Sequence, residues 1–233
     1  LKTRFKVECT SSIPKIAYRE TIVGKSESRF RHRKQSGGHG EFAEVAIKME
    51  PAERGKGFEF VNQIVGGVIP SQFVASTEKG MQGVISKGIL AGYPVVDVRV
   101  MLFDGKTHEV DSSDSAFQMA GSRAFQEAFM NAKPVLLEPI QNIEITVPSK
   151  FMGDIMGNLN SRRGRIMGSD TNGNYQVIKA LVPLAEVLNY STELKSITGG
   201  EGTYTLSFSH YDPMPGNVQE KIVARAKEEK EKK

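Results

Sequence analysis

Apolar and polar positions alternate along much of the chain, and the clearest case lies within residues 90–117. Val96, Val98, Val100 and Leu102 alternate there with Asp97, Arg99 and Met101, the two-residue period of a strand that buries one face. The strand is expected to run into a polar turn, Asp104-Gly105-Lys106-Thr107-His108, with Glu109-Val110 continuing in extended form. Asp111-Ser112-Ser113-Asp114 then starts a helix, because a serine or aspartate side chain can accept the first free backbone N–H groups. A loop held between a buried strand and a capped helix is how proteins present a site.

The same reading yields the other elements. Phe5, Val7 and Cys9 alternate in a strand, residues 1–10, that reads as the end of an upstream domain of a longer chain. An extended segment from Pro14 breaks at Gln35-Ser36-Gly37-Gly38-His39-Gly40 and resumes with Val45, Ile47 and Met49, a hairpin around a glycine-rich loop. Ordering three glycines is entropically costly, so this loop is expected to stay mobile until bound. A short strand covers residues 58–65. Past Pro70, Val74, Thr77, Met81, Val84 and Gly88 share one helix face, and a second helix over about residues 114–131 stacks Phe117, Ala120, Ala124, Phe125 and Ala128.

Lys133-Pro134 is the expected boundary, since proline disfavours helix in the residue before it. Beyond it come a strand (Ile143, Ile145, Val147), a helix capped by Ser149 and ended by Gly164, and two strands around Asp170-Thr171-Asn172-Gly173. A helix from Pro183 with Leu184, Val187, Leu188 and Ser191 on one face and a strand with Tyr204, Leu206 and Phe208 complete a βαββαβ, ferredoxin-like order.

Composition changes this picture only modestly. With 233 residues, 39% hydrophobic and 25% charged, the chain reads as one large or two ordinary soluble domains. No basic-then-apolar amino-terminal segment suggests secretion, and no apolar run comes near the roughly 18 residues that span a bilayer, so no membrane is expected. The single cysteine fits a reducing, cytoplasmic setting. Net charge is +4, but cations cluster at Lys25, Arg29, Arg31, Arg33 and Lys34, at Arg162, Arg163 and Arg165, and across residues 221–233. The first two clusters border glycine-rich turns, which leaves a solvated face and an RNA or phosphate contact both open. The third mixes lysine with glutamate and reads as a solvated, fraying helix.

Catalytic signatures do not assemble. Gly105-Lys106-Thr107 lacks the earlier glycine of a phosphate-binding loop, as Val100 stands there, and turn chemistry accounts for Asp104-Gly105. The four histidines, His32, His39, His108 and His210, have no metal-ligand spacing. The chain is therefore expected to bind rather than catalyse, with no metal and no cofactor of its own.

Six segments go further. Tyr18-Arg19-Glu20-Thr21, Lys34-Gln35-Ser36-Gly37-Gly38, Ala91-Gly92-Tyr93-Pro94-Val95-Val96-Asp97, His108-Glu109-Val110-Asp111-Ser112-Ser113, Lys133-Pro134-Val135-Leu136-Leu137-Glu138-Pro139 and Ser161-Arg162-Arg163-Gly164 resemble, in order, the carboxy-terminal half of the bacterial elongation factor G family. The resemblance implies the end of domain III at residues 1–10 and domain IV at 11–132, with a ribosomal protein S5 domain 2-like fold. It further implies a ferredoxin-like domain V at 133–215 and a terminal helix or tail at 216–233. The fold class is therefore α+β throughout.

By that resemblance the parent is a ribosome-dependent GTPase that promotes tRNA–mRNA translocation in protein synthesis, with a share in ribosome recycling left open. Its GTP and Mg would sit in a GTPase domain absent from this stretch. The domain IV tip would enter the small-subunit decoding region. Two loops would form it: Gln35, Ser36, Gly37, Gly38, His39 and Gly40 in the first, Lys106, His108 and Asp111 in the second. Arg31, Arg33, Lys34, Arg162, Arg163 and Arg165 are weaker candidates for rRNA contact. Domain V would lie near the large-subunit stalk base and the sarcin–ricin loop, and the factor would act as a monomer. A ribosomal protection protein shares this plan but is expected to carry longer tip loops, and a ferredoxin-like small-molecule-binding regulatory domain is the alternative of another class.

Overall fold

A computed structural model describes residues 14–34 and 40–231. The elements in order are β1 (Arg19–Ile22), β2 (Ser26–Lys34), β3 (Glu41–Pro51), β4 (Phe58–Asn62), α1 (Ser71–Lys87), β5 (Val98–Lys106), α2 (Asp114–Asn131) and β6 (Pro134–Pro148). A 3-10 turn (Ser149–Phe151) leads into α3 (Met152–Ser161), followed by β7 (Arg165–Asn172), β8 (Tyr175–Pro183), α4 (Leu184–Val187), α5 (Tyr190–Thr198), β9 (Thr203–Pro213) and α6 (Gly216–Glu231). By packing, the chain divides into one unit of Tyr18–Leu137 with Pro213–Lys233 and a second built on Glu138–Asp212.

In the first unit a four-stranded sheet runs β2-β3-β5-β4. β2 and β5 are antiparallel to β3, while β4 is parallel to β5 across the α1 connection. Val45, Ile47 and Met49 of β3 and Val98, Val100 and Leu102 of β5 join Met81 of α1 and Phe117, Phe125 and Phe129 of α2 in one core. Burying each aromatic ring contributes about 1.5–3 kcal/mol. Ser113 caps α2 as the sequence indicates, its Oγ accepting the Ala116 N–H at 3.2 Å. The opposite sheet face is held by charge: Glu44, almost fully buried, receives Arg29 at 2.9 Å and Arg31 at 2.5 Å.

Two expectations about residues 104–110 change. Gly105 lies inside β5, buried and paired with Val45, and a Cβ there would sit 2.3 Å from the Glu44 carbonyl oxygen. Close strand approach beside the register shift at Ala46/Ile47, not turn chemistry, requires that glycine. Glu109 and Val110 form the turn itself, with Val110 exposed.

Glu20 anchors the first unit in a way the chain pattern hides. Its fully buried carboxylate accepts the backbone N–H groups of Ile89, Leu90, Ala91, Gly92 and Tyr93 at 2.7–3.0 Å. α6 belongs to this unit too. Val218, Ile222, Val223 and Ala226 pack on Ala91, Leu136 and Met214, so one face of the charged terminal helix is covered where a fully solvated one was expected.

In the second unit β9 pairs β6, β6 pairs β8 and β8 pairs β7, giving the ferredoxin-like order β9-β6-β8-β7. Ile143, Ile145, Val147, Ile155, Leu159, Ile178 and Val182 form its core. Several local details differ from the sequence reading. Ser149 starts the 3-10 turn and donates to the Asn174 carbonyl, leaving α3 without a side-chain cap. The helix from Pro183 is broken at Asn189, and Val187, Tyr190 and Leu194 are the buried residues, not Leu188 or Ser191. Tyr190 and Leu194 carry more apolar surface than that pair, which decides the face. Leu206 and Phe208 of β9 are exposed.

Candidate functional site

Two chain segments meet at one end of the first unit's sheet, where β3 begins and β5 ends. Phe42 N–H donates to the Asp111 carbonyl at 2.8 Å, and the Ser112 hydroxyl donates to the Phe42 carbonyl at 2.9 Å. Ser112 Oγ also accepts the His108 backbone N–H at 2.9 Å. Gly40 lies so near Asp111 that a Cβ would stand 2.9 Å from the carboxylate. The segment entering at Gly40 and the loop with His108 and Asp111 are thus tied together. Gln35, Ser36, Gly37, Gly38 and His39 lie outside the described residues.

The loop orients His108. Its Nδ1 is 3.4 Å from the Val110 nitrogen, 3.3 Å from the Asp111 nitrogen and 3.4 Å from Asp111 Oδ2. With Nδ1 accepting from the backbone, the neutral ring carries its proton on Nε2, a hydrogen-bond donor on an exposed side chain. Phe42 lies beside the imidazole, ring centroids 6.2 Å apart. Nothing in the sequence marks Ser112 as the tie, because its partner is 70 residues away.

The cations divide into engaged and free. Arg31 is committed to Glu44, and Arg29 bridges Glu44 and Asp104. The Arg29 guanidinium holds the Asp104 carboxyl below its usual range. His32 Nε2 meets Glu41 Oε2 at 2.9 Å, which lowers the Glu41 pKa. Arg33, Lys34 and Lys106 are exposed and form no ion pair with a described residue. Without a described carboxylate partner, such cations at this end of the sheet are suited to phosphate.

In the second unit the Arg162, Arg163 and Arg165 cluster separates. Arg163 meets Glu138 in a bidentate pair at 2.6 and 2.9 Å and reaches Glu186 at 3.0 Å. These carboxylates raise the Arg163 pKa, the Glu138 bonds most. Arg163 also takes the left-handed conformation after α3 (φ 57°), a role the sequence suggested for Gly164. Gly164 instead donates its N–H to the Leu159 carbonyl at 2.8 Å, and a Cβ there would stand 2.7 Å from that oxygen. Arg162 pairs with Glu193, donates to the Glu186 carbonyl and lies over the Tyr190 ring. Arg165 alone of the three is exposed.

Among the described residues no cluster of histidine, cysteine and carboxylates is placed to hold a metal ion, and no helix is long and apolar enough to cross a membrane.

Comparison with known proteins matches residues 14–133 to the model of elongation factor G, domain IV, and residues 135–222 to that of the elongation factor G C-terminus. The chain is 52% identical over 223 residues to an elongation factor G of Aquifex pyrophilus, covering 96% of this chain and 32% of the relative. It is 51% identical over 230 residues to an elongation factor G-like protein of Thermotoga maritima, covering 98% of this chain and 34% of that protein. A solved structure from Thermus thermophilus superposes with a TM-score of 0.80 at 44% identity, over 93% of this chain and 32% of that one. The chain therefore spans about a third of the length of these relatives. The fold is α+β, a ribosomal protein S5 domain 2-like domain followed by a ferredoxin-like one. On the two matched models and these relatives, the chain belongs to the elongation factor G family and corresponds to its domain IV and carboxy-terminal region.

Proposed function

We infer that this chain is the ribosome-engaging part of a translational GTPase, with domain IV near 11–132, domain V near 133–215 and a terminal helix. Its tied loops enter the small-subunit decoding region and follow the tRNA–mRNA pair during translocation. Domain V faces rRNA near the stalk base and the sarcin–ricin loop. Hydrolysis of GTP with Mg belongs to a separate domain of the complete, cytoplasmic, monomeric factor. One observation carries the reading: the Phe42–Asp111 and Ser112–Phe42 bonds fasten the His108 loop to the start of β3, with the His108 imidazole exposed and Lys106 and Lys34 exposed without an ion pair to a described residue. An Nε2 donor of this kind recognises a phosphate or a 2′-hydroxyl without needing a permanent charge.

The test uses the complete factor carrying His108→Ala. Losing one hydrogen bond to a charged RNA group removes about 1.5–3 kcal/mol, and each ~1.4 kcal/mol is tenfold in rate. Single-turnover translocation is expected to slow roughly ten- to a hundredfold, with ribosome-stimulated GTP hydrolysis unchanged. Equal loss of both activities, or normal translocation, refutes this role for His108.

A further inference from the structure

His108 Nδ1 faces two kinds of group that require opposite states of it. The backbone N–H groups of Val110 and Asp111, at 3.4 and 3.3 Å, need a lone pair there, whereas the Asp111 carboxylate, with Oδ2 at 3.4 Å, needs a proton. In the neutral ring the first requirement is met, and Oδ2 stands beside a lone pair with no hydrogen between them. Protonation of Nδ1 reverses this. The carboxylate then gains a charge-assisted bond, and the two amides turn to water, which reaches this exposed loop.

Asp111 is held in place for this contact. Its carbonyl accepts the Phe42 N–H at 2.8 Å, and its carboxylate rests against Gly40, where a Cβ would stand 2.9 Å from Oδ2. Among the described residues His108 is the one group paired with that carboxylate. The other carboxylates at this end of the sheet are engaged: Glu41 meets His32, Glu44 meets Arg31, Asp104 meets Arg29, and Asp114 accepts from Ser76. Lys34, Lys106 and Glu109 are exposed without an ion pair to a described residue.

We propose that Asp111 is a positioning residue for His108: it lets the imidazole take up a proton on Nδ1 when Nε2 donates to an RNA phosphate. The neutral donor then becomes an imidazolium held between two anions. The proposal rests on the reading of His108 as the RNA-facing group, and it adds which RNA group is met. A phosphate drives the change, because a negative charge at Nε2 favours the charged ring. A 2′-hydroxyl carries no charge and leaves the ring neutral. The proton comes from solvent, adds to the Nδ1 lone pair and returns to solvent when the loop leaves the phosphate. Nε2 keeps its own proton throughout.

Single-turnover translocation by the complete factor, followed from about pH 6 to about pH 8.5 around the ordinary imidazole range, tests it. Each variant is read as its ratio to the parent, which cancels the ribosome's own pH dependence. Asp111→Asn keeps the size of the side chain and removes its charge. A carboxylate favours the charged ring, so without it the proton is lost at lower pH as pH rises. The Asp111→Asn rate profile is therefore expected to lie at lower pH than the parent's, with a slowing of about threefold on the falling limb, as suits a partly exposed ion pair. On a His108→Gln background, which has a donor but no titratable ring, the same substitution is expected to lose its pH dependence. Circular dichroism confirms that each variant is folded. A deficit equal at every pH, as a merely structural role gives, or one that keeps its pH dependence on the His108→Gln background, would overturn the proposal. Slowed His108→Ala beside an Asp111→Asn profile like the parent's would overturn it alone, whereas normal translocation by His108→Ala overturns the reading beneath it.

Discussion

Ser112 donates its hydroxyl to the carbonyl of Phe42 at 2.9 Å, and through that bond the end of β5 is fastened to the start of β3. The same oxygen accepts from His108 N–H, so one side chain fixes both the start of β3 against this segment and the start of the histidine turn. Replacing Ser112 by alanine removes two hydrogen bonds of about 0.5–1.5 kcal/mol each without touching the core. Hydrogen exchange at Phe42 and His108 amides is expected to quicken several-fold, while Val45 within β3 stays protected. Unchanged exchange at both would show that the His108 turn and the start of β3 are held by other contacts.

Glu20 makes a stronger claim on stability. Five backbone N–H groups converge on its buried carboxylate, and Glu20→Ala leaves them without an acceptor. Loss of a charged acceptor in such a place destabilises by at least about 3 kcal/mol. Chemical denaturation monitored by circular dichroism is expected to show that loss, and a change under 1 kcal/mol, roughly the typical surface effect, would refute the assignment.

Glu44 gives the sheet face a dependence on pH. Burial raises its pKa, but the hydrogen bonds from Arg31 and Arg29 outweigh it, so the folded value lies below the ordinary one. A depressed carboxyl contributes stability that is fully present above the unfolded pKa of about 4.3 and is lost as pH falls through the folded value. Glu44→Gln is therefore expected to be less stable than the parent at pH 7, by about 1–2 kcal/mol given that both arginines are half exposed. The gap should narrow as pH falls below the unfolded value and close once it passes below the folded one. A gap that does not narrow on acidification would point to packing as its cause.

What was legible in the chain follows the range of the interactions. α2 runs over the expected residues because its apolar spacing and the Ser113 cap are both local. The ferredoxin-like order follows from strand and helix periods in the same way. Glu20, Ser112 and Gly105 were not legible in these roles, since these partners lie 60 or more residues away. The helix end at Gly164 was misread for the opposite reason. Glycine is the default left-handed residue after a helix, but the paired guanidinium fixes Arg163 there and close packing on Leu159 claims Gly164.

That contrast yields a final test of which arginines face RNA. Arg163 donates two bonds to Glu138, whose side chain is 4% exposed, and a third to Glu186. Arg163→Ala strands the Glu138 carboxylate in a nearly water-free place, which costs about 3–5 kcal/mol. Arg163→Lys is a weak substitute, because an ammonium cannot reproduce the planar fork. Arg165, on the same cluster, is exposed and makes no ion pair with a described residue, so Arg165→Ala is expected to change stability by less than about 0.5 kcal/mol. If Arg165 contacts an rRNA phosphate, its loss should weaken ribosome binding by the complete factor and reduce the salt dependence by about one counterion. Denaturation and salt-titrated ribosome binding on both variants separate the roles. A stable Arg163→Ala variant with weakened, less salt-dependent binding would reverse the assignment and make Arg163 the RNA-facing residue.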